Sequence, residues 1–399
     1  MKRFHIVGAF DRHNYGDILF ALIHQSFINK WCTEAHEVYF YAISSVDMQY
    51  CGGVKTQALS EFFSKERTDD DRLVLAGGDI LGADWPDMVS HISEKPLALM
   101  INVMRRFFSF KSYNTLVRTL YGQKNKFPYV VSRKDTQAKI YYTCVGGSNF
   151  NGKSRQQHIN LVCEELKGCH RISVRERETQ RTLESGGIMT DLIPDSALLM
   201  SVTFPKSQLA ARSWHAGLIE RNYFTRNNFF VFQIARHYVN DELPAIVEQL
   251  KKIHAQTGWS ILLLPIGRAP GHEDDVVLKQ IFDKLLLASI PVALQTSPHV
   301  LDIMACLALS NAYIGTSLHG AISSYAYGNK VCGIATARVP KLKNFLETWL
   351  SAADYAVCPS LDFAEAFSDL VLSGSSITST AGLHAQQEQV ICELQRYLE

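Results

Sequence analysis

A chain of 399 residues is long enough for two or three domains, each with its own core. Its 47% hydrophobic and 20% charged residues describe a soluble globular protein, and a formal net charge of +1 gives no overall attraction to nucleic acid. Nine scattered cysteines with no CxxC pair argue against structural zinc and a secreted disulfide framework.

The N-terminus, Met1-Lys-Arg-Phe-His-Ile-Val-Gly8, lacks the apolar length of a signal peptide, and no apolar run reaches the length of a membrane span. A cytoplasmic protein is expected, peripheral at most at the inner membrane face. Residues 4–7 predict a first strand, and Gly8 to Asp17 a polar loop. Ile18, Leu19, Leu22, Ile23 and Phe27 then recur at helical spacing. Asn14 is placed to cap that helix, with Asp17 three residues on, so residues 4–30 read as the first half of a βαβ unit. The loop lacks GxGxxG, which weakens a dinucleotide reading.

Residues 37–43 predict a second strand, and 72–76 a third that runs into Gly77-Gly78-Asp79; 139–145 repeats the pattern with Gly146-Gly147. A glycine pair after a strand permits close backbone approach. Ser173 to Glu176 reads as a capping box opening a helix that stops at Gly186-Gly187, and 191–193 as a short strand before Pro194-Asp195-Ser196.

A second alternating series follows Phe204-Pro205. It comprises a strand at 229–235 ending at Arg236-His237, a helix at 243–256, and a strand at 260–265 entering a loop from Gly267 to Asp275. A strand at 291–294 and a helix at 300–309, capped at Ser297-Pro298, come next. Residues 311–328 start as an apolar run, break at Gly315-Thr316-Ser317 and resume as a helix closed by Gly328. A helix N-terminus at such a turn offers N–H groups and a partial positive charge to an anion, and His319 there can carry a proton near neutral pH. The alternative for His319 is an ordinary packed strand–helix junction. A strand at 331–335 and a tail helix at 384–398 complete the series.

Strands alternating with helices imply parallel sheets. Two such series predict an α/β protein of two Rossmann-like domains facing a central cleft, a glycosyltransferase-B-like architecture. The expected divisions are residues 1–203, with an insertion at 95–134, residues 204–383, and a C-terminal helix, 384–399, packing back on the first domain. The insertion holds nine basic residues, Arg105, Arg106 and Lys111 among them, and no Asp or Glu, interleaved with Leu, Met and Phe. It is either an element lying on an anionic membrane or a packed helical insertion with a solvated basic edge, and the second is the simpler.

Taken together, these motifs resemble the polysaccharide pyruvyl transferases. The matching pieces are Asn14-Tyr15-Gly16-Asp17, Gly77-Gly78, Gly146-Gly147, Ser173-Val-Arg175-Glu-Arg177, Pro194-Asp195-Ser, Gly271-His-Glu-Asp274-Asp275 and Gly315-Thr-Ser-Leu-His319-Gly320. The resemblance implies transfer of a pyruvyl ketal from phosphoenolpyruvate to a sugar, with His319 matching the family's Leu-His-Gly histidine. Ser317 stands where many members carry Arg, so the donor's charge must be met elsewhere.

That chemistry needs a general acid for the methylene carbon, donors for carboxylate and phosphate, and an acceptor for hydroxyl protons. The expected catalytic residues are His319 as the acid, Arg236 as an anion clamp and Asp17 as the hydroxyl's base. Thr316, Ser317, Gly320, Arg338, Lys343 and Arg175 are expected at the donor, and Asn14, Tyr15, Gly77, Gly78 and Asp79 at the acceptor. No cofactor and no metal are expected; Asp274 and Asp275 read as helix-capping acids. The partners expected are phosphoenolpyruvate and a sugar acceptor on a lipid or nucleotide carrier, with peripheral membrane contact through 95–134 and no nucleic acid. The competing functions are a nucleotide-sugar glycosyltransferase and a non-catalytic glycan-binding subunit.

Overall fold

The computed structural model describes residues 1–92, 95–104, 107–148, 150, 155–216, 228–239, 242–268, 273–335, 340–373 and 380–399. Among the described residues thirteen strands form two sheets. The first holds β1 (Lys2–Val7), β2 (His36–Ala42), β3 (Gln57–Ala58), β4 (Asp71–Ala76), β5 (Lys139–Val145), β6 (Arg171–Val174) and β7 (Asp191–Leu192), in the order β3-β2-β1-β4-β5-β6-β7. The second holds β8 (Phe229–Gln233), β9 (Ser260–Leu263), β10 (Val292–Leu294), β11 (Ala312–Gly315), β12 (Lys330–Ile334) and β13 (Tyr355–Cys358), in the order β10-β9-β8-β11-β12-β13. The pairings between these strands are parallel.

The central strands β4 and β8 are buried along their whole length. Helices cover both faces of such a sheet, which is why these strands read as continuous apolar runs rather than alternating ones. In each sheet the strand order reverses once, at β1/β4 and at β8/β11, and a crevice opens there at the carboxyl ends. The architecture is glycosyltransferase-B-like: two such halves with their crevices opposed.

The halves are locked together beside the crevices. Tyr15 Oη lies 2.8 Å from Ser323 Oγ, His13 Nε2 donates to Pro298 O at 2.6 Å, and Asn14 forms a β-bridge with Gly267. The C-terminal helix Thr380–Gln395 returns to the first half, where Glu393 pairs with Arg171 at 2.7 Å. Just beyond it Tyr397 is fully buried against Phe4, Phe27 and His24. Among the described residues no helix is long and apolar enough to cross a membrane.

Two local expectations are corrected. Ser173 is a residue of β6 whose hydroxyl accepts from Cys144 N, so it does not cap the next helix, Arg177–Ser185, which starts from Glu176. The helix Val300–Leu309 is capped by the His299 ring, while Ser297 bonds Asp302. Ser173 found a partner on the neighbouring strand, and Ser297 bonds a side chain in the helix's first turn and leaves the cap to the His299 ring. The 95–134 insertion divides into helices Lys95–Met104 and Phe110–Leu120, with Arg105 and Arg106 outside the described residues.

Candidate active site

At the second crevice β11 ends and the helix Leu318–Ala326 begins, with Ser317 as its N-cap accepting from Gly320 N at 3.2 Å. Two further amides at this turn are held by one side chain. Gln233, the last residue of β8, accepts through Oε1 from Thr316 N at 3.1 Å and Ser317 N at 2.9 Å. Its Nε2 donates to Asp274 Oδ2 at 2.8 Å, and that carboxylate also accepts from Ile266 N and Gly267 N. Burial pushes the Asp274 carboxyl up to about 6 despite these donors. This network fixes three loops of the crevice to one another.

Of the first four N–H groups of the helix, those of Ser317 and Gly320 are therefore occupied. Leu318 N and His319 N are the two with no acceptor among the described residues, and they are the donors left for a ligand. They open on a cleft of about 90 Å³ lined by Asn14, Gln233, His237, Tyr238, His319 and Lys341, among others.

His319 is gripped from the first half of the chain. A Cβ on Gly16 would stand 1.9 Å from His319 Nδ1, so only glycine leaves room for the ring. Phe20 meets the ring edge-on at 5.3 Å, and Phe20 in turn fills the space where Gly77 lacks a side chain. The side chain is 13% exposed, and Nε2 faces Asp195 Oδ2 at 3.8 Å. Burial lowers the His319 pKa to about 4; Asp195 acts against this, while Arg175 and Lys341 add to it. His319 is thus neutral at pH 7 in the protein alone.

Behind His319 lies a buried ion-pair chain. Arg175 donates to Asp195 Oδ2 at 2.7 Å and to Glu176 Oε1 at 3.2 Å. Burial alone would lower its pKa, but Asp195 and Glu176 hold the guanidinium above its ordinary value. Asp195 Oδ1 accepts from Ala197 N at 2.8 Å.

Several expected site residues lie elsewhere or are already committed to structure. Arg175 is fully buried and committed to Asp195 and Glu176, so it is structural and not a donor contact. Arg236 is 58% exposed, pairs with Glu273 at 3.0 Å and lines the neighbouring cavity. Lys343 points to solvent and pairs with Glu347, and Arg338 lies outside the described residues. Tyr15 is buried in the contact between the two halves and cannot meet an acceptor. The hydroxyl of Thr316 is spent on Gln233 and Ala235 N, and Gly320 permits close packing on Ile266 and Tyr313.

Other expected residues do converge on His319. Asn14 lines the cleft while capping its helix, and Ser317 lines it from the other side. Asp17 stands beside Gly78, and burial holds its carboxyl above the usual range although Arg12, Lys341 and Arg175 act against it. Asp79 is fixed by Ser148 N and Oγ at 2.9 and 2.5 Å, close enough for its charge to act on His319. Among the described residues, Gln233 and Lys341 escaped the sequence reading, while Asp195 and His237 appeared there only in a motif and at a strand end, without a site role. Gln233 carried a usable signal, a lone polar residue closing an apolar strand at the point where strand order reverses.

The family model for polysaccharide pyruvyl transferase matches residues 14–338. No curated protein matches the chain. Among solved structures, UDP-GlcNAc 2-epimerase from Methanocaldococcus jannaschii is similar over 99% of this chain and 100% of its own, at 11% identity and a TM-score of 0.58. The Neisseria meningitidis enzyme bound to UDP-GlcNAc covers 99% and 100% at 12% identity and a TM-score of 0.53, and that of Rickettsia bellii 100% and 95% at 10% and 0.55. At such identities the likeness is one of fold alone.

Proposed function

This chain belongs to the polysaccharide pyruvyl transferase family, and on that premise we propose that it moves the pyruvyl unit of phosphoenolpyruvate onto a pair of sugar hydroxyls. The family implies a transferase of polysaccharide biosynthesis with a donor and a sugar acceptor; the donor's identity and the residue roles are the proposal. The observation that carries it is the cleft itself. His319, Lys341 and two unclaimed helix N–H groups meet in one small space, and Asp17 stands beside Gly78 in the half that grips the His319 ring.

Lys341 and the N–H groups of Leu318 and His319 receive the donor's phosphate and carboxylate. His319 protonates the methylene carbon, so that C2 becomes cationic and is attacked by the first sugar hydroxyl. Asp17 takes that hydroxyl's proton. The C2–O bond to phosphate then breaks, the second hydroxyl closes the ketal, and its proton leaves with phosphate. Net, one diol and one phosphoenolpyruvate give one ketal and one phosphate.

A histidine with a pKa of about 4 needs help to act as an acid at pH 7. Raising it by three units takes about 4 kcal/mol, which one opposite charge at 4 Å supplies at an effective dielectric constant near 20. The donor brings that charge itself, so His319 takes up its proton as the donor binds. On this reading the enzyme works in the cytoplasm, where phosphoenolpyruvate is available.

Incubation with phosphoenolpyruvate and sugar diols, following phosphate release and the pyruvylated product, tests the proposal, with UDP-sugars as the control donors. His319→Ala is expected to lose about 10² to 10⁴ in kcat. An unimpaired His319→Ala enzyme, or turnover of UDP-sugars in place of phosphoenolpyruvate, overturns it.

A further inference from the structure

We propose that the exposed apolar face of the helices Lys95–Met104 and Phe110–Leu120 docks on an anionic bilayer, so that the acceptor-side rim of the cleft meets a lipid-linked sugar. The lipid-linked acceptor rests on the transferase reading above; the docking does not.

Eight of the seventeen large apolar side chains that stand exposed among the described residues fall between Leu97 and Tyr121. Scattered exposed apolar residues are normal, but a concentration of this kind marks a contact surface. In the first helix Met100 and Val103 face outward, at 51% and 47% exposure, while Ile101 is buried. Phe107 follows at 79%, and Leu120 ends the second helix at 73% while Tyr113 and Val117 pack inward. Each helix thus has one apolar side in the core and another left uncovered.

Charge selects the occupant. Residues 95–134 contain no Asp or Glu. Lys126 is paired with Glu165, and Arg133 is bonded to backbone carbonyls, but Lys111 and Lys124 are exposed and no carboxylate meets them among the described residues. A second copy seated face to face about a two-fold axis would set two basic patches against each other, with no carboxylate in residues 95–134 to meet them. An anionic lipid surface takes both features at once, apolar side chains below the headgroups and ammonium groups among them.

Position gives the docking a purpose. The helix Trp85–Ile92 begins just beyond Asp79, and the two apolar helices pack on it. Its Met88 accepts from Arg12, in the loop that carries Asn14 and leads to Asp17. The two helices are therefore joined to the acceptor side of the cleft through the helix Trp85–Ile92.

The test is flotation of the full-length protein with phosphatidylglycerol-containing vesicles and with pure phosphatidylcholine vesicles, at low and high salt. Wild type is expected on the anionic vesicles only, and less so as salt rises. The double variant Lys111→Glu/Lys124→Glu, and separately Met100→Ser/Phe107→Ser/Leu120→Ser, should each lower partitioning at least about tenfold. Both should keep wild-type turnover of a water-soluble sugar diol. Equal binding to the two vesicle types overturns the docking. So does a wild-type dimer in light scattering that the triple variant dissociates. Vesicle binding without phosphate release from phosphoenolpyruvate sinks the transferase reading alone, and turnover of the soluble acceptor without vesicle binding sinks the docking alone.

Discussion

The crevice of the first sheet is lined by glycine and backbone, Gly16, Gly77 and Gly78, whereas that of the second is built from Gln233, Asp274, Ser317 and His319. The strand order around the two is the same. What differs is how each spends its polar groups. At β8/β11 a side-chain amide and a carboxylate tie up the loop N–H groups, leaving two for a ligand. At β1/β4 the absence of side chains makes room for the His319 ring from the other half, at Gly16, and for the Asp17 carboxyl beside Gly78. The second crevice supplies the histidine and the open N–H groups, the first supplies the space for the ring and the carboxylates beside it, so neither half is a site alone.

The hardest way to break this division is at Gln233. Gln233→Ala strands the amides of Thr316 and Ser317 and leaves Asp274 short of a donor, a cost of about 3 kcal/mol in urea unfolding. A cost below about 1 kcal/mol would mean that water or a neighbour replaces it readily.

The next test comes from the opposite crevice. Glycine-to-alanine inside a helix normally stabilises by up to about 1 kcal/mol, and Gly16 is helical. Here the added methyl meets His319 Nδ1, so Gly16→Ala is expected to destabilise by about 2 kcal/mol and to lower turnover together with it. Stabilisation with full activity would show that the ring is not held by this wall.

A smaller effect separates two lysines. Lys341→Ala should raise KM for phosphoenolpyruvate about tenfold, the worth of one charge-assisted contact, while Lys343→Ala stays within about twofold. Reversal of the two results would restore the donor role to Lys343.

The mildest test is pH. His319 has a folded pKa of about 4 against about 6.5 unfolded, so below 6.5 the unfolded chain binds a proton that the fold refuses. This part of the stability is complete above pH 6.5 and is lost as pH falls toward 4. His5 and His24, lowered by burial to about 4 and about 3, act in the same direction. Each is worth about 1 kcal/mol at pH 5.5. Replacing His319 by Gln should flatten the curve between pH 7.5 and 5.5 by that amount, and an unchanged curve would mean that His319 is not held neutral.

The sequence by itself determined the alternation of strands and helices, and with it two parallel sheets with crevices at their reversal points. It also determined the caps whose partners are two or three residues away, Asn14 and Ser317, and put His319 at a helix start. These follow from periodicity and local hydrogen bonding, which a short window of sequence contains. Which cations face His319 was decided only by tertiary structure. On the helix Pro340–Trp349, Lys341 and Lys343 flank the buried stripe of Leu342, Phe345 and Leu346 on opposite sides, and only the docking of that helix turns one to the cleft and the other to water. The same holds for Arg175, which reads as a helix-start arginine until Asp195 is brought 2.7 Å away, and for Gln233, whose partners lie dozens of residues further along the chain. Gly16 and His319, far apart in the chain, meet because the two halves close on each other over a shared core, and no local pattern encodes that contact.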